Sequence, residues 1–457
     1  MRFLTVNIMI NEEKRKRSLK NSIWSGAFFS LMVGFGESFF GAFAVFLKAN
    51  NFELSLLTTL PKTLGNISHI FSNKLLNLFK SRKHLISTLI IVQILLHIPI
   101  GLVYYFGKLQ ISFLIFFVTL YWICSQLILS PWTSWMGDVV HKEKRGSFFG
   151  IRNRISGLSS YVSFLLGGYI LEHFSTSQIM EYYGFLILFL LAMIFRIVSL
   201  IFTLLQYEPK NSQFKEVNFN FIKFLSHANE SNYGLFVLYI SMMYFGVFIC
   251  SAYFTPYLLI DLGFNYSLFA IISSASMIAK FSSMHIWGEL CDNYGTMKVL
   301  ALTGYIMPFV PLLWVFSSNV PYLIIIQLIS GFLWGGFDMA SFNFMYDVTN
   351  RKTRAVSVAY YNILIGILSF LGSMIGWVVV YFNSLPISSY LLTFVFSFVI
   401  RLMASLFFIQ KLKEVRKVEK ITGRGLLIKA FTIRPTSGFR YNLILFGERT
   451  ISKLKKK

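Results

Sequence analysis

The sequence predicts an all-α membrane protein with twelve transmembrane helices in two pseudo-symmetric six-helix bundles. Three observations predict this fold: an apolar composition, a series of apolar runs of membrane-spanning length, and a repeat that relates the two halves of the chain. Of the 457 residues, 55% are hydrophobic and 13% are charged, whereas roughly a quarter of the residues of soluble domains are charged. So few charged residues cannot cover a surface in water, and the composition excludes a chain of soluble domains.

Apolar runs bounded by glycine, proline or charged residues define the spans, because a spanning helix needs about 20 mostly apolar residues. The connections between the runs are short except for 207–232, which is polar and leaves six spans on each side. The predicted spans are 22–47, 55–78, 85–106, 110–136, 146–171, 183–206, 233–259, 266–290, 297–317, 321–346, 355–382 and 387–410.

The spans divide the chain into five predicted segments. These are a basic N-terminal tail over 1–20, a first six-helix bundle over 21–206, a linker over 207–232, a second bundle over 233–410 and a basic C-terminal tail over 411–457. Most of the net charge of +23 lies on the two tails. We expect the tails to lie against anionic lipid headgroups rather than to bind nucleic acid.

The distribution of basic residues predicts that both termini are cytoplasmic. If the N-terminus is inside, the inside loops hold fourteen lysine and arginine residues, whereas the outside loops hold only Lys48 and Lys108. Loops rich in these residues stay on the cytoplasmic side of a membrane. The first apolar run is long enough to span and is preceded by charged residues, so we interpret it as a retained signal anchor.

A repeat relates the two halves of the chain. Asp138 and Arg145 recur 209 residues later as Asp347 and Arg354. The same offset relates two rows of mostly small residues, one in span five and one in span eleven. Each row has helical spacing and so lies on one face of its helix. We expect these faces to allow close contacts between helix backbones rather than to form a ligand site. The row consists of Asn153, Gly157, Ser160, Ser163 and Gly167 in the first half and of Asn362, Gly366, Ser369, Gly372 and Gly376 in the second.

Six spans in each half give both halves the same orientation in the membrane. Repeats of this kind are related by an axis along the membrane normal and have their interface near the midplane. Carriers use this symmetry directly, whereas enzymes and receptors rarely need it. The sequence contains neither a constellation typical of a membrane enzyme nor cysteines at metal-ligand spacing, and we expect no catalytic activity, metal or cofactor.

A motif between spans eight and nine resembles a known family. Residues 288–298 read Gly-Glu-Leu-Cys-Asp-Asn-Tyr-Gly-Thr-Met-Lys, which resembles the G-x-L-x-D-x-x-G-x-x-R/K signature of the major facilitator superfamily. The corresponding stretch 73–83 keeps the basic end but has Asn77 and Lys80 where the signature has Asp and Gly. Residues 130–154 are similar to a little-characterised bacterial branch of the same superfamily.

The resemblance covers about 22–410 and implies a secondary active transporter in a bacterial cytoplasmic (inner) membrane. It implies a monomer that moves a small solute by alternating access, and we expect proton coupling. The alternative is an exporter or a lipid or amphiphile flippase of the same fold. Drug efflux is less favoured, because span five lacks the Gly-Pro motif that drug–proton antiporters of the superfamily carry.

Ionisable residues inside the spans predict a polar cavity, since charges in lipid are costly and mark functional sites by default. We expect Glu37 or Asp338 to accept a proton, and Lys62 or Lys280 to hold a substrate anion or a partner carboxylate. Alternatively, these four residues pair with one another and only stabilise the bundle. Further polar or aromatic residues are expected to line the cavity: His69, Asn66, Gln126, Trp132 and Asn343.

Charges at the inside ends of the helices predict a cytoplasmic gate. An acid and a base at neighbouring helix ends can form an ion pair while the inside is closed and separate when it opens. The alternative is a set of static topology anchors. The residues concerned are Asp138, Arg145, Asp292, Lys298, Asp347 and Arg354.

Overall fold

The structure, a computed structural model, describes residues 2–141, 145–209, 221–349, 354–416, 418 and 423–432. The first half contains α1 (Arg2–Phe35), α2 (Asn51–Ser68), α3 (Arg82–Leu102), α4 (Gln110–Val139), α5 (Arg145–Phe174) and α6 (Gln178–Leu204). The second half contains α7 (Asn232–Ser251), α8 (Tyr266–Tyr294), α9 (Thr296–Ile306), α10 (Val320–Val348), α11 (Arg354–Tyr381) and α12 (Ser389–Phe408), and α13 (Gly423–Thr432) follows. Shorter helical pieces extend α1, α2, α7 and α9: Phe40–Phe46, Ser72–Phe79, Tyr257–Asp261 and Phe309–Leu313.

Nine segments of the described residues are long and apolar enough to cross a membrane. One of them, Arg82–Val139, contains both α3 and α4. The chain turns between these two helices at Gly107, whose φ of 56° favours glycine. Helices α2 and α5 are not among the nine and carry polar residues such as Lys62 and Arg152. The helices are consistent with the twelve predicted spans.

Polar caps fix the start of several helices. Asn50 and Glu53 form a capping box at α2, with backbone-to-side-chain distances of 2.8 and 3.0 Å. Ser81, Ser231 and Asn265 cap α3, α7 and α8 without a capping box, each by accepting a backbone N–H. A helix leaves its first N–H groups without intrahelical partners, so these side chains determine where each helix begins.

The two halves repeat the same helix packing. In the first half α1 packs against α5 and α6, and α2 against α4; in the second α7 packs against α11 and α12, and α8 against α10. The halves meet through two pairs of helices, α2 with α11 and α5 with α8. A shift of six helices exchanges these two pairs, as a two-fold axis between the halves requires. The predicted fold of two pseudo-symmetric bundles is therefore confirmed.

The two ends of the bundle differ. We call the end that contains Ser18, Asp138, Asn232 and Tyr294 the linker end, because residues next to the linker lie there. The opposite end, the far end, contains the turns between α1 and α2, between α5 and α6 and between α7 and α8. A large apolar cluster of aromatic residues joins the halves at the far end and includes Phe39, Phe43, Phe185, Tyr266 and Phe269.

Two arginines lie inside the helix bundles. Arg196 of α6 is 4% exposed, donates to the Gln93 side-chain oxygen of α3 and lies 4.6 Å from the Phe29 ring. Arg401 of α12 is also 4% exposed and contacts Cys250. Each side chain therefore points into its own half instead of reaching the headgroups, as expected of a residue that stabilises the bundle.

Both predicted tails contain helix. Helix α1 begins at Arg2, so the segment predicted as a tail over 1–20 continues the first span. The Ser18 hydroxyl accepts the backbone N–H of Tyr207 at 3.1 Å, which attaches this extension to the end of α6. In the C-terminal tail, α13 packs on α8 and α9 through Leu426 and Ala430, each 1% exposed. Residues 433–457 lie outside the described part of the chain.

Candidate functional site

Glu37 lies where α1 is interrupted. A single 3-10 turn, Glu37–Phe39, separates α1 from Phe40–Phe46. The carboxylate accepts a hydrogen bond from the Tyr121 hydroxyl of α4. It also interacts electrostatically with Lys62 of α2 and Arg196 of α6. Four helices of the first half thus meet at one half-buried carboxylate.

Lys62 lies at the interface between the halves. Its Nζ atom is 5.4 Å from the centre of the Trp122 ring of α4 and 5.6 Å from that of the Phe248 ring of α7. The two rings belong to different halves, and aromatic faces attract a cation. The next residue, Thr63, donates its hydroxyl to the Gly366 carbonyl of α11 at 2.8 Å. Lys62 as a whole is half-buried, so its side chain is held in place without being fully enclosed.

Two further residues predicted to line the cavity, Asn66 and His69, follow Lys62 along α2 and its extension. His69 lies 3.0 Å from the Gln126 side-chain oxygen of α4, and the two side chains share a hydrogen bond. Asn66 is close to α11, since a Cβ atom added at Gly366 would lie 3.2 Å from its side-chain nitrogen. The structure therefore brings Lys62, Asn66, His69 and Gln126 together along one side of α2.

Asp338 and Lys280 form an ion pair in the second half. The Lys280 ammonium of α8 is 2.5 Å from the Asp338 carboxylate of α10, and the side chains are 34% and 27% exposed. Small residues bring the two helices together, because a Cβ atom at Gly331 would lie 2.0 Å from the Ser276 carbonyl oxygen. Tyr244 and Tyr361 interact electrostatically with Asp338 from α7 and α11.

Trp132 and Asn343 lie nearer the linker end. Trp132 is near the end of α4, and its ring stacks 4.3 Å from the Arg152 guanidinium. Asn343 is near the end of α10 and forms a hydrogen bond with Cys291 of α8. Among the contacts of the described residues, none joins Trp132 or Asn343 to Glu37 or Lys62, so these two residues lie apart from the other predicted lining residues.

Ion pairs at the linker end involve residues that the sequence analysis missed. Asp138 of α4 binds Arg82, with 2.6 Å between oxygen and nitrogen. Glu208, which follows α6, accepts the Arg82 backbone N–H at 2.8 Å and the Ser81 hydroxyl at 2.7 Å. The side chain of Arg145, the predicted partner of Asp138, lies outside the described residues. These contacts lock the start of α3 to the ends of α4 and α6.

The second half builds a similar junction with a different arginine. Arg416, which follows α12, binds Asp347 at 2.8 Å and Asp292 at 3.3 Å. Glu414 accepts the Met297 backbone N–H at the start of α9, at 2.8 Å. Glu208 and Glu414 therefore occupy corresponding positions in the two halves. Because each follows the last span of its half, the sequence repeat could have identified them as a pair. The hydrogen bond to Asp347 raises the pKa of the Arg416 guanidinium above its ordinary value.

The other two predicted gate residues of the second half also lie at the linker end. Lys298 is in the first turn of α9 and is half-buried. The side chain of Arg354 lies outside the described residues. In the described part of the chain, the acids at this end pair with basic residues of their own half.

Replacing Arg82 with Ala is expected to destabilise the protein more than the matched change Arg416→Ala. The Arg82 side chain is 1% exposed, whereas that of Arg416 is 34% exposed. Removing one partner of a buried ion pair costs about 3–5 kcal/mol, whereas the partly exposed Arg416 is screened by solvent, so its loss should cost less. Thermal unfolding of both variants in the same detergent measures the difference, and equal losses would contradict it.

Hydrogen bonds between the halves are found toward the far end. The Tyr266 hydroxyl of α8 donates to Glu181 at 2.5 Å, and its backbone N–H donates to Glu172 at 3.1 Å. The hydroxyls of Ser55 and Tyr253 are 2.7 Å apart. Together with the apolar cluster, these contacts close the far end across both halves.

Comparison with known proteins gives the same fold. The family model described as Major Facilitator Superfamily matches residues 23–254 and 235–449. No curated protein sequence matches the chain.

Solved structures of transporters resemble the whole chain. A mutant of the nucleoside transporter NupG is 14% identical, with a TM-score of 0.66, and the match covers 87% of this chain and all (100%) of that one. The xylose transporter XylE from E. coli, partially occluded and inward open, is 10% identical at a TM-score of 0.62, over 89% and 100% of the two chains. A bacterial homologue of the human lysosomal transporter Spinster, inward-facing and unoccupied, is 14% identical with a TM-score of 0.61. The match covers 88% of this chain and 98% of that one. Since the family model covers most of its length, the chain belongs to the major facilitator superfamily and is a multi-pass membrane transporter.

Proposed function

We propose that the protein is a proton-coupled secondary active transporter that moves a small solute by alternating access. The observation that carries this proposal is the pair of ionisable clusters within the spans, one in each half. Glu37 and Lys62 belong to the first cluster, and Lys280 and Asp338 to the second. Carboxylates inside a membrane that bind and release protons can couple solute movement to a proton gradient. The similar nucleoside and xylose transporters support a small, water-soluble cargo.

The difference between the two ends supports alternating access. Contacts between the halves close the far end, whereas the described ion pairs at the linker end stay within one half. The positive-inside bias supports a cytoplasmic linker end. In this assignment the chain is a monomer in the cytoplasmic membrane, in a state open toward the cytoplasm, and Asp138, Asp347 and Asp292 belong to its gate.

Solute uptake into proteoliposomes tests the proposal. The purified protein is screened by counterflow against sugars, nucleosides, amino acids and organic acids, and the solute that exchanges is then supplied with an imposed proton gradient. We expect accumulation above equilibrium, loss of accumulation with a protonophore, and no change in the variant Lys108→Gln, whose side chain is exposed at the far end. Counterflow without gradient-driven accumulation would reject proton coupling, and an inactive protein across the panel would reject solute transport.

A further inference from the structure

The charges inside the first half do not balance. Lys62 and Arg196 interact electrostatically with the same carboxylate, Glu37. Arg196 is 4% exposed and also donates to neutral oxygens of Gln93 and Ser199. The Tyr121 hydroxyl already donates to Glu37. One negative charge is therefore shared by two cations within the membrane.

Lys62 is the cation that can receive another anion. Among the residues that the structure describes, no oxygen accepts a hydrogen bond from its ammonium and no carboxylate lies within ion-pair distance. Lys280 differs, because Asp338 neutralises it directly at 2.5 Å. A lysine ammonium has three donors, and leaving them without acceptors inside a membrane is costly. The Lys62 side chain is half-buried, so a bound solute has access to these donors.

The surroundings of Lys62 indicate which kind of anion fits. Its ammonium lies over the rings of Trp122 and Phe248, 5.4 and 5.6 Å from their centres. An anion that binds the ammonium therefore lies close to two aromatic rings. Planar apolar groups pack well against such rings, and a small hydrophilic ion would gain nothing from them. Since Trp122 and Phe248 belong to opposite halves, a solute held there contacts both.

We propose that the transported solute is an organic anion with a planar apolar body, and that its anionic group binds Lys62 only when Glu37 is protonated. This inference rests on the proposed function and specifies its substrate class and coupling. While Glu37 is ionised, it neutralises Lys62 and repels a second anion. Protonation removes that charge, so the proton and the anion bind together. One anion and one proton then cross the membrane as an electroneutral pair.

The linkage has a definite sign. If protonation of Glu37 strengthens anion binding, the bound anion favours protonation by the same factor. Anion affinity is therefore expected to rise as the pH falls. Besides Lys62, the titratable groups near Glu37 are Tyr121 and Cys124 of α4, Arg196 of α6 and His97 of α3, which lies beside Gly36. His97 is a second titratable group here, so a variant must test whether it contributes to the pH dependence.

Calorimetric titration with two matched ligands tests the inference. Benzenesulfonate carries a fixed charge across the accessible pH range, and benzenesulfonamide has the same ring without that charge. We expect the purified protein to bind benzenesulfonate about tenfold more tightly at about pH 6 than at about pH 8, a coupling typical of two linked sites. The sulfonamide should bind at least about tenfold more weakly than the sulfonate at about pH 6. Equal affinity for the two ligands, or no binding of the sulfonate, would overturn the inference.

Variants assign the effect to particular residues. Lys62→Met should lose sulfonate binding and Lys62→Arg should retain it, whereas Lys108→Gln should leave it unchanged. Glu37→Gln, which mimics the protonated acid, should bind the sulfonate tightly at both pH values. If the pH dependence persists in Glu37→Gln and disappears in His97→Gln, the coupling to Glu37 is wrong. Melting temperatures of all variants separate loss of binding from loss of folding.

The inference and the proposed function fail in different ways. If the counterflow screen identifies a neutral or cationic solute whose transport does not need Lys62, the organic-anion inference is overturned and the transporter proposal stands. If the protein binds benzenesulfonate through Lys62 but transports nothing, the binding site stands and the transport proposal fails.

Discussion

The double variant Glu37→Gln, Asp338→Asn is expected to lose proton-driven accumulation of the solute while it still exchanges solute across the membrane. These two carboxylates are the acids of the two clusters inside the spans. Without them the two clusters have no carboxylate that can link a proton to solute binding. A gradient of one pH unit supplies ~1.4 kcal/mol per proton, enough for about tenfold accumulation. The double variant should reach an internal-to-external ratio of about one under the same gradient.

Single variants and counterflow separate coupling from folding. Glu37→Gln alone should remove accumulation and leave counterflow, if Glu37 is the coupling acid. Asp338→Asn leaves the Lys280 ammonium without its ion-pair partner, and its loss of melting temperature should exceed that of Glu37→Gln. Full accumulation by the double variant would eliminate both residues as proton acceptors.

Replacing Gly168 with Val is expected to hold the far end open. A Cβ atom at Gly168 of α5 would lie 2.4 Å from the Ala270 Cβ of α8 and 2.8 Å from the Tyr266 carbonyl oxygen. These are contacts between the halves, so a larger side chain separates the halves without disturbing the packing inside either one. Transport should fall by about fivefold or more because closing the contact would cost ~1–3 kcal/mol.

Gly376→Val is the matched control, because its close contact lies within one half. A Cβ atom there would be 2.1 Å from the Ile249 carbonyl oxygen of α7. This variant should lose melting temperature, whereas Gly168→Val should keep it. A cysteine placed at Phe269, which is 4% exposed at the far-end contact, should react with an impermeant maleimide faster in Gly168→Val. Unchanged labelling together with a lowered melting temperature would show that Gly168 only supports the fold.

The fold could be predicted because its signals are local or periodic. The apolar runs, the basic loops and the offset of 209 between Asp138 and Asp347 are all visible in one sequence. The position of a close contact within a helix is harder to predict. In α5 the predicted row contains Gly167, which contacts Phe39 of its own half, while its neighbour Gly168 makes the contact with the other half. One residue changes the direction of a helical side chain by about 100 degrees.

The candidate site could be predicted only in part, because pairing depends on distances between helices. The sequence singled out Lys280 and Asp338 as interior charges, but their direct contact joins two helices far apart in the chain. The sequence does not distinguish Tyr121 from the many other aromatic residues of the spans. Its hydrogen bond to Glu37 assigns it to the site. At the linker end of the first half, Arg82 pairs with Asp138. The second half has Met297 at the position that corresponds to Arg82, and Arg416 pairs with Asp347 instead. The gate residues stay predictions that transport measurements must test.

The place of Arg416 in the chain has a consequence for biosynthesis. Asp292 and Asp347 are translated well before it, and the Asp347 carboxylate is 11% exposed in the folded protein. While the ribosome completes the last span, this acid still lacks its cation. A polypeptide that stops after α12 would therefore lack this ion pair and leave bare the surface that α13 covers. Arg416 and α13 therefore complete the linker end of the second half only after the last span has been made.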